Sequence, residues 1–126
     1  MAMRVLIREF AGSDHTAAVR EVSAEMFDLP EVGSRYWRGG LPYAVRGIAE
    51  GDPAVVDLVL DRARSQEVDQ LLPEGCAIDV GRDSTTGRWT AVLFVKGEIL
   101  RGSPIYGRDG DDAVERVLVE RRPYEG

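Results

Sequence analysis

The chain has 126 residues, with 16 Lys plus Arg against 22 Asp plus Glu, a formal net charge of −6. That length suits one domain, and 44% hydrophobic with 30% charged residues excludes wholesale disorder, collagen and low complexity. A chain of this size buries about two-thirds of its unfolded surface, so it needs no metal or disulfide staple to fold.

Taken in chain order, Arg4 to Phe10 reads as a strand, short and rich in branched residues, ending at Ala11-Gly12-Ser13. Ser13 or Asp14 can cap a helix over about His15 to Phe27, where Val19, Val22 and Met26 fall three and four apart. Leu29-Pro30 ends it. Glu31 to Gly40 reads as a loop broken by Gly33, Ser34, Gly39 and Gly40. A second helix over Leu41 to Glu50 would turn Leu41, Ala44, Val45 and Ile48 inward. Asp52-Pro53 carries the signature of a helix start, an acid before a proline, and opens a third helix running to Gln66 or Leu71.

After Gly75 the period changes. Cys76, Ile78 and Val80 alternate with Ala77 and Asp79, the pattern of a half-buried strand. Asp83 to Gly87 is a turn, Arg88 to Val95 a central strand, and Lys96-Gly97 a tight connection into Glu98 to Arg101. Pro104-Ile105-Tyr106 can extend that last strand beyond Gly102. A final helix over Asp111 to Arg121 turns Val114, Val117 and Leu118 inward, with Asp109, Asp111 and Asp112 at its positive end and Arg121 and Arg122 at its negative end. The expected fold class is α+β, in the order β-α-α-α-β-β-β-α. An antiparallel meander of three to four strands packs against helices. The expectation is a single domain over 1–126, with a hinge near 31–40 between a helical half and a sheet half.

One segment stands apart in charge. No acid occurs from Gly33 to Ile48, where Arg35, Tyr36, Trp37, Arg38, Tyr43 and Arg46 form a cationic, aromatic island. Aromatic faces stack on rings, arginines pair with phosphates, and Trp, Tyr and Arg dominate interface hot spots. These six are the candidate binding residues. The competing reading has Trp37 and Tyr36 filling the core while the arginines face water.

A second segment places Asp79 on a strand before Gly81, Arg82, Asp83, Ser84, Thr85, Thr86 and Gly87. An acid on a strand, a Gly- and Thr-rich turn and two more strands resemble the opening of an RNase H-like domain. There the strand acid holds a catalytic Mg²⁺. A truncated unit of that order is similar to antitoxins of the HicB type, although their Pro, Gly and Cys after the second strand are missing here. Asp79 is therefore the one weak metal candidate, since a metal site needs several convergent ligands. Asp109-Gly110-Asp111-Asp112 lacks the spaced ligands of an EF-hand loop and reads as helix capping. His15 is the lone histidine and Cys76 the lone cysteine, so neither a usual zinc site nor an intramolecular disulfide can form. Cys76 is expected to act as a small buried hydrophobe.

Nucleotide-loop, nucleophile-elbow and zincin motifs are absent, and no cofactor is implied. The net charge opposes non-specific binding to nucleic acid and to anionic membranes. Val5-Leu6-Ile7 is too short for a signal peptide or a spanning helix, so the expected location is cytoplasmic. Lys96 is the only lysine and asparagine is absent, a codon bias that points to a GC-rich, bacterial genome. The expected function is that of a small acidic, non-enzymatic binding or regulatory protein, antitoxin- or immunity-like. It would act by protein–protein interaction, with a protein partner or by self-association. Glu67, Asp69, Glu74, Asp79 and Asp83 would face a basic partner. The alternatives are a small-ligand protein or enzyme with a pocket around Arg35 to Arg46, and nucleic-acid binding through that segment.

Overall fold

The computed structural model describes residues 2–12, 17–99 and 104–120. Strands dominate, which corrects the helix-rich α+β order expected from the sequence. The described residues form β1 (Met3–Phe10), β2 (Arg20–Met26), β3 (Arg35–Arg38), β4 (Leu41–Ala49) and β5 (Ala54–Leu60). They continue as α1 (Arg62–Leu71), β6 (Cys76–Arg82), β7 (Trp89–Val95), β8 (Glu98–Ile99), β9 (Ile105–Gly107) and α2 (Gly110–Glu120).

Three expected helices are the source of the error, and each has a physical reason. In β2 the inward residues are Val22, Ala24 and Met26, with Glu21, Ser23 and Glu25 exposed, so the true period is two. The spacing of Val19, Val22 and Met26 matched a helix only by coincidence. In β4 a bulge between Val45 and Gly47 inserts a residue, so Tyr43, Val45 and Ile48 reach the same core. A strand with a bulge spaces its apolar residues two and then three apart, which mimics a helical face. In β5 the run Ala54, Val56, Leu58 alternates inward in a β-branched segment, and Asp52-Pro53 precedes a strand instead of a helix. The helix begins only at Asp61, whose carboxylate accepts from the Arg64 amide at 3.1 Å. The expected loop at 31–40 contains β3. Ser13, Asp14, His15, Arg121 and Arg122 lie outside the described residues.

The first five strands form sheet A in the order β2-β1-β5-β4-β3. β1 and β5 run parallel, and every other pair is antiparallel. Sheet B centres on β7, which pairs β6 on one side and both β8 and β9 on the other. The β7–β8 turn carries positive φ at Lys96 and Gly97, the primed geometry that matches strand twist. Helix α2 packs across β7, β9 and β6. Its approach is close enough that a Cβ on Gly107 would meet Ala113 Cα at 2.8 Å.

Two cores result. The first gathers Val5, Ile7, Met26, Tyr43, Val45, Ala54, Val56 and Leu58 on one face of sheet A. The second lies between sheet B and the helices and includes Val68, Val80, Ala91, Leu93, Val114, Val117 and Trp37. Strand alternation sends Trp37 into the second core, while its neighbour Tyr36 packs against both. Gly39 bridges to Val80 on β6, with the Val80 amide donating to the Gly39 carbonyl at 2.6 Å. β3 is thus the seam between the sheets.

Trp37 is 1% exposed and its Nε1 donates to Asp111 Oδ1 at 2.6 Å. Trp37→Ala is expected to cost about 3–5 kcal/mol through the cavity it leaves. Trp37→Phe, which keeps most of the volume and loses the hydrogen bond, is expected to cost about 1 kcal/mol more than a volume-neutral change. Urea unfolding followed by circular dichroism measures both, and equal costs for the two variants would refute the packing role.

Candidate functional site

The six residues of the cationic island do not form one site: Tyr36 and Tyr43 lie opposite each other on β3 and β4 and Arg38 shares Glu9 with Tyr43, whereas Trp37 enters the second core and Arg35 turns to the helix starts. Arg35 donates to Asp61 Oδ2 at 2.9 Å and reaches Asp111 Oδ1 at 3.5 Å, tying β3 to the starts of both helices. Arg38 Nη1 donates to Glu9 Oε1 at 3.2 Å, and the Tyr43 hydroxyl donates to the same oxygen at 3.4 Å. Glu9 is only 8% exposed, and these two donors compensate its burial. Arg46 stacks over the Phe10 ring at 4.2 Å from its centroid. Tyr36 meets Trp89 edge to face at 5.4 Å.

Burial pushes the Tyr36 phenol up, against the opposing pull of Arg82 and Arg38. Burial and the adjacent Glu9 carboxylate push the Tyr43 phenol up. Both stay neutral near physiological pH. The island is therefore cationic only along the sequence. Glu9, Asp61 and Asp111, which lie far from it in the chain, bring carboxylates to Arg35 and Arg38.

The second segment singled out by the sequence has a different fate. Asp79, Gly81, Arg82, Asp83 and Thr86 line a cleft of about 460 Å³ together with Arg88, Thr90, Val92 and Tyr106. Its position follows from strand parity. Ile78, Val80, Trp89, Ala91 and Leu93 face the core, so Asp79, Gly81, Thr90 and Val92 must face the other side of sheet B. Register places Gly81 opposite Thr90 and Thr90 opposite Tyr106, one row across three strands, with Asp79 opposite Val92 beside it.

The charged residues of the cleft differ in how far they are engaged. Arg82 is held by Asp28 and by the Gly87 carbonyl, and it lies over Phe27 and Trp89. Asp83 accepts from the Thr85 and Thr86 amides at 2.7 and 2.9 Å, which fixes the turn. Those two amides hold its carboxyl below the usual carboxylate range. Arg88 stacks on Tyr106 at 3.9 Å, and Tyr106 is 45% exposed. Asp79 is exposed, and no described residue pairs with it. The cleft thus offers a carboxylate that no described residue pairs, a stacked guanidinium and phenol, and the Thr86 and Thr90 hydroxyls.

Sequence reasoning missed Arg88, Thr90, Val92 and Tyr106. Reading Arg88 to Val95 as a central strand, which is covered on both faces, hid the alternation, although Arg88 and Thr90 are visibly more polar than Trp89 and Ala91. Of the other acids expected to face a partner, Glu67 pairs with Arg64 at 2.9 Å, while Asp69 and Glu74 are exposed. Cys76 is half-buried and packs against the second core. Among the described residues no group of three or more His, Cys, Asp or Glu is placed to hold a metal ion. Asp109 accepts from the Asp112 amide at 2.8 Å, so it caps α2. No described helix is long and apolar enough to cross a membrane. Comparisons with protein-family models, curated proteins and solved structures find no match.

Among the described residues three carboxyls sit below their ordinary range. The Arg64 amide and then Arg35 lower Asp61, the Thr86 and Thr85 amides lower Asp83, and the Arg108 amide and then Arg116 lower Asp112, with desolvation opposing in each case. A carboxyl lowered in the folded state stabilises above its unfolded pKa, and that contribution is lost as pH falls through the folded value. The urea midpoint is therefore expected to hold steady from neutrality to about pH 4 and to fall below it. Asp61→Asn keeps a capping side chain and removes the charge, so it should shrink that acid-side fall. An unchanged pH profile in the variant would contradict the assignment.

Proposed function

We propose that the protein is a small acidic, non-enzymatic binding protein that acts by protein–protein interaction, with the cleft on the open face of sheet B as its contact site. The observation that carries this reading is Asp79, a carboxylate with no partner among the described residues, beside the exposed Arg88–Tyr106 stack. Tyr and Arg in a concavity are the residue types that dominate interface energetics, and a basic side chain from a partner would complete Asp79. The net charge of −6 favours a basic partner in encounter as well. A regulatory or immunity-like role, in which this chain neutralises such a partner, is consistent with that chemistry.

A cleft of about 460 Å³ also falls in the size range of small-ligand pockets, which supports a small polar ligand as the second reading. The segment from Arg35 to Arg46 has less support as an anion or nucleic-acid site, because Arg35 and Arg38 already hold carboxylates.

The test compares affinity capture from the cells that express the protein, using wild type, Asp79→Lys/Arg88→Ala and the control Asp69→Lys on α1. A partner held by wild type and by the control should be weakened at least about tenfold by the cleft variant, the scale of losing one desolvated charge contact. Identical capture by all three overturns the cleft assignment. Capture of no protein, together with thermal stabilisation of wild type alone by a small polar compound, favours the second reading.

A further inference from the structure

Sheet A ends in an edge that is chemically prepared for another strand. β2 has seven residues and pairs only with β1 among the described residues, so one row of its backbone N–H and C=O groups faces outward. Arg8 on β1 makes a two-pronged ion pair with Asp57 on β5, at 2.7 and 2.8 Å. Across the other side of β1, register sets Glu21 opposite Arg8 and Glu25 opposite Arg4. Glu21 also raises the Arg8 pKa, after Asp57, as a carboxylate on the same face must. Arg4 in turn reaches Asp52 at 3.5 Å.

One charge row, Asp57–Arg8–Glu21, therefore crosses three strands of sheet A, and a second, Arg4–Glu25, crosses β1 and β2 with Asp52 beside it in the turn before β5. Each alternates in sign, and each stops at the open edge on an acid. Ser23 lies between the two glutamates on the same exposed face. Four residues of strand place the carboxylates about 13 Å apart.

We infer that β2 accepts an extended basic segment of a partner protein by strand addition, with Lys or Arg at positions four residues apart. Main-chain hydrogen bonds would supply the attachment, and the next cation in each row would supply the register. A second copy of this chain is the poorer occupant. Antiparallel pairing of the whole strand with itself, centred on Ser23, sets Glu21 against Glu25 twice, and like charges directly opposite are destabilising. The edge lies on sheet A and the cleft on sheet B, so the inference stands or falls apart from the proposed function.

The test titrates isotope-labelled full-length protein with capped nine-residue Thr/Val peptides and follows the backbone amides by NMR. One peptide carries Lys at positions 3 and 7, which share a strand face, and the other carries Lys at 3 and 6, which do not. Shifts should concentrate in residues 20–26, with the 3,7 peptide binding at least about tenfold more tightly and weakening with salt. Glu21→Lys/Glu25→Lys should lose the Lys peptide and gain a peptide with Glu at 3 and 7. Should that variant fail to fold, Glu21→Gln/Glu25→Gln should lose the preference between the two Lys peptides. Equal binding of both peptides, shifts centred on the cleft, no binding at millimolar concentration, or a dimer formed through β2 in sedimentation each overturns the inference.

Discussion

The burial of Trp37 is the constraint on which the arrangement depends. β3 is four residues long, too short to hold its place by ladder hydrogen bonds alone. Its position is fixed because its successive side chains are claimed by different neighbours. Trp37 fills the space between sheet B and α2, Tyr36 meets Trp89 while lying against the sheet A core, and the Gly39 carbonyl binds the β6 backbone. Slipping β3 by one residue would exchange the faces and place Arg38 or Tyr36, according to direction, where Trp37 now sits. Few short strands are so strictly specified. Besides β3, Phe27 and Asp28 after β2 reach sheet B through Arg82.

Electrostatics follows from that geometry. Because β3 touches both helix starts and the edge of the first core, its arginines come within reach of Asp61, Asp111 and Glu9. The exposed pairs among them contribute little stability. The Glu9 cluster matters more, since an unpaired carboxylate in that position would be costly. The effect on the surface is larger than the effect on stability. Paired arginines no longer advertise positive charge, and the acids without partners among the described residues set the character of the surface around them.

The sequence was most readable where structure is local. β6 and α2 were recognisable because their inward residues follow one period without interruption, β1 and β7 because they are short runs rich in branched and apolar residues, and Asp109 sits where a cap must sit. β2, β4 and β5 were misread for identifiable reasons: a coincidental spacing at Val19, Val22 and Met26, a bulge at Val45, and an Asp-Pro pair that precedes a strand. Each is a case in which strand pairing, which is non-local, overrides a local signal. The candidate site divides the same way. The segment from Asp79 to Gly87 was visible as a unit because it is one strand end and its turn. The fate of the island was invisible, since its carboxylate partners at positions 9, 61 and 111 are brought to it only by the fold. Tyr106 joins the cleft by the same kind of long-range pairing.

The parallel pairing of β1 with β5 carries a consequence for how the chain reaches this state. β1 is the first strand and an interior one, and Arg8 waits 49 residues for Asp57. The hairpins β3–β4, β4–β5 and β6–β7 close over short loops and can form early. β1 and β2 together make only a two-stranded hairpin, which has marginal stability in water. Completing sheet A therefore requires the long-range docking of an earlier segment of the chain onto a later one, the kind of contact whose loop-closure cost slows folding.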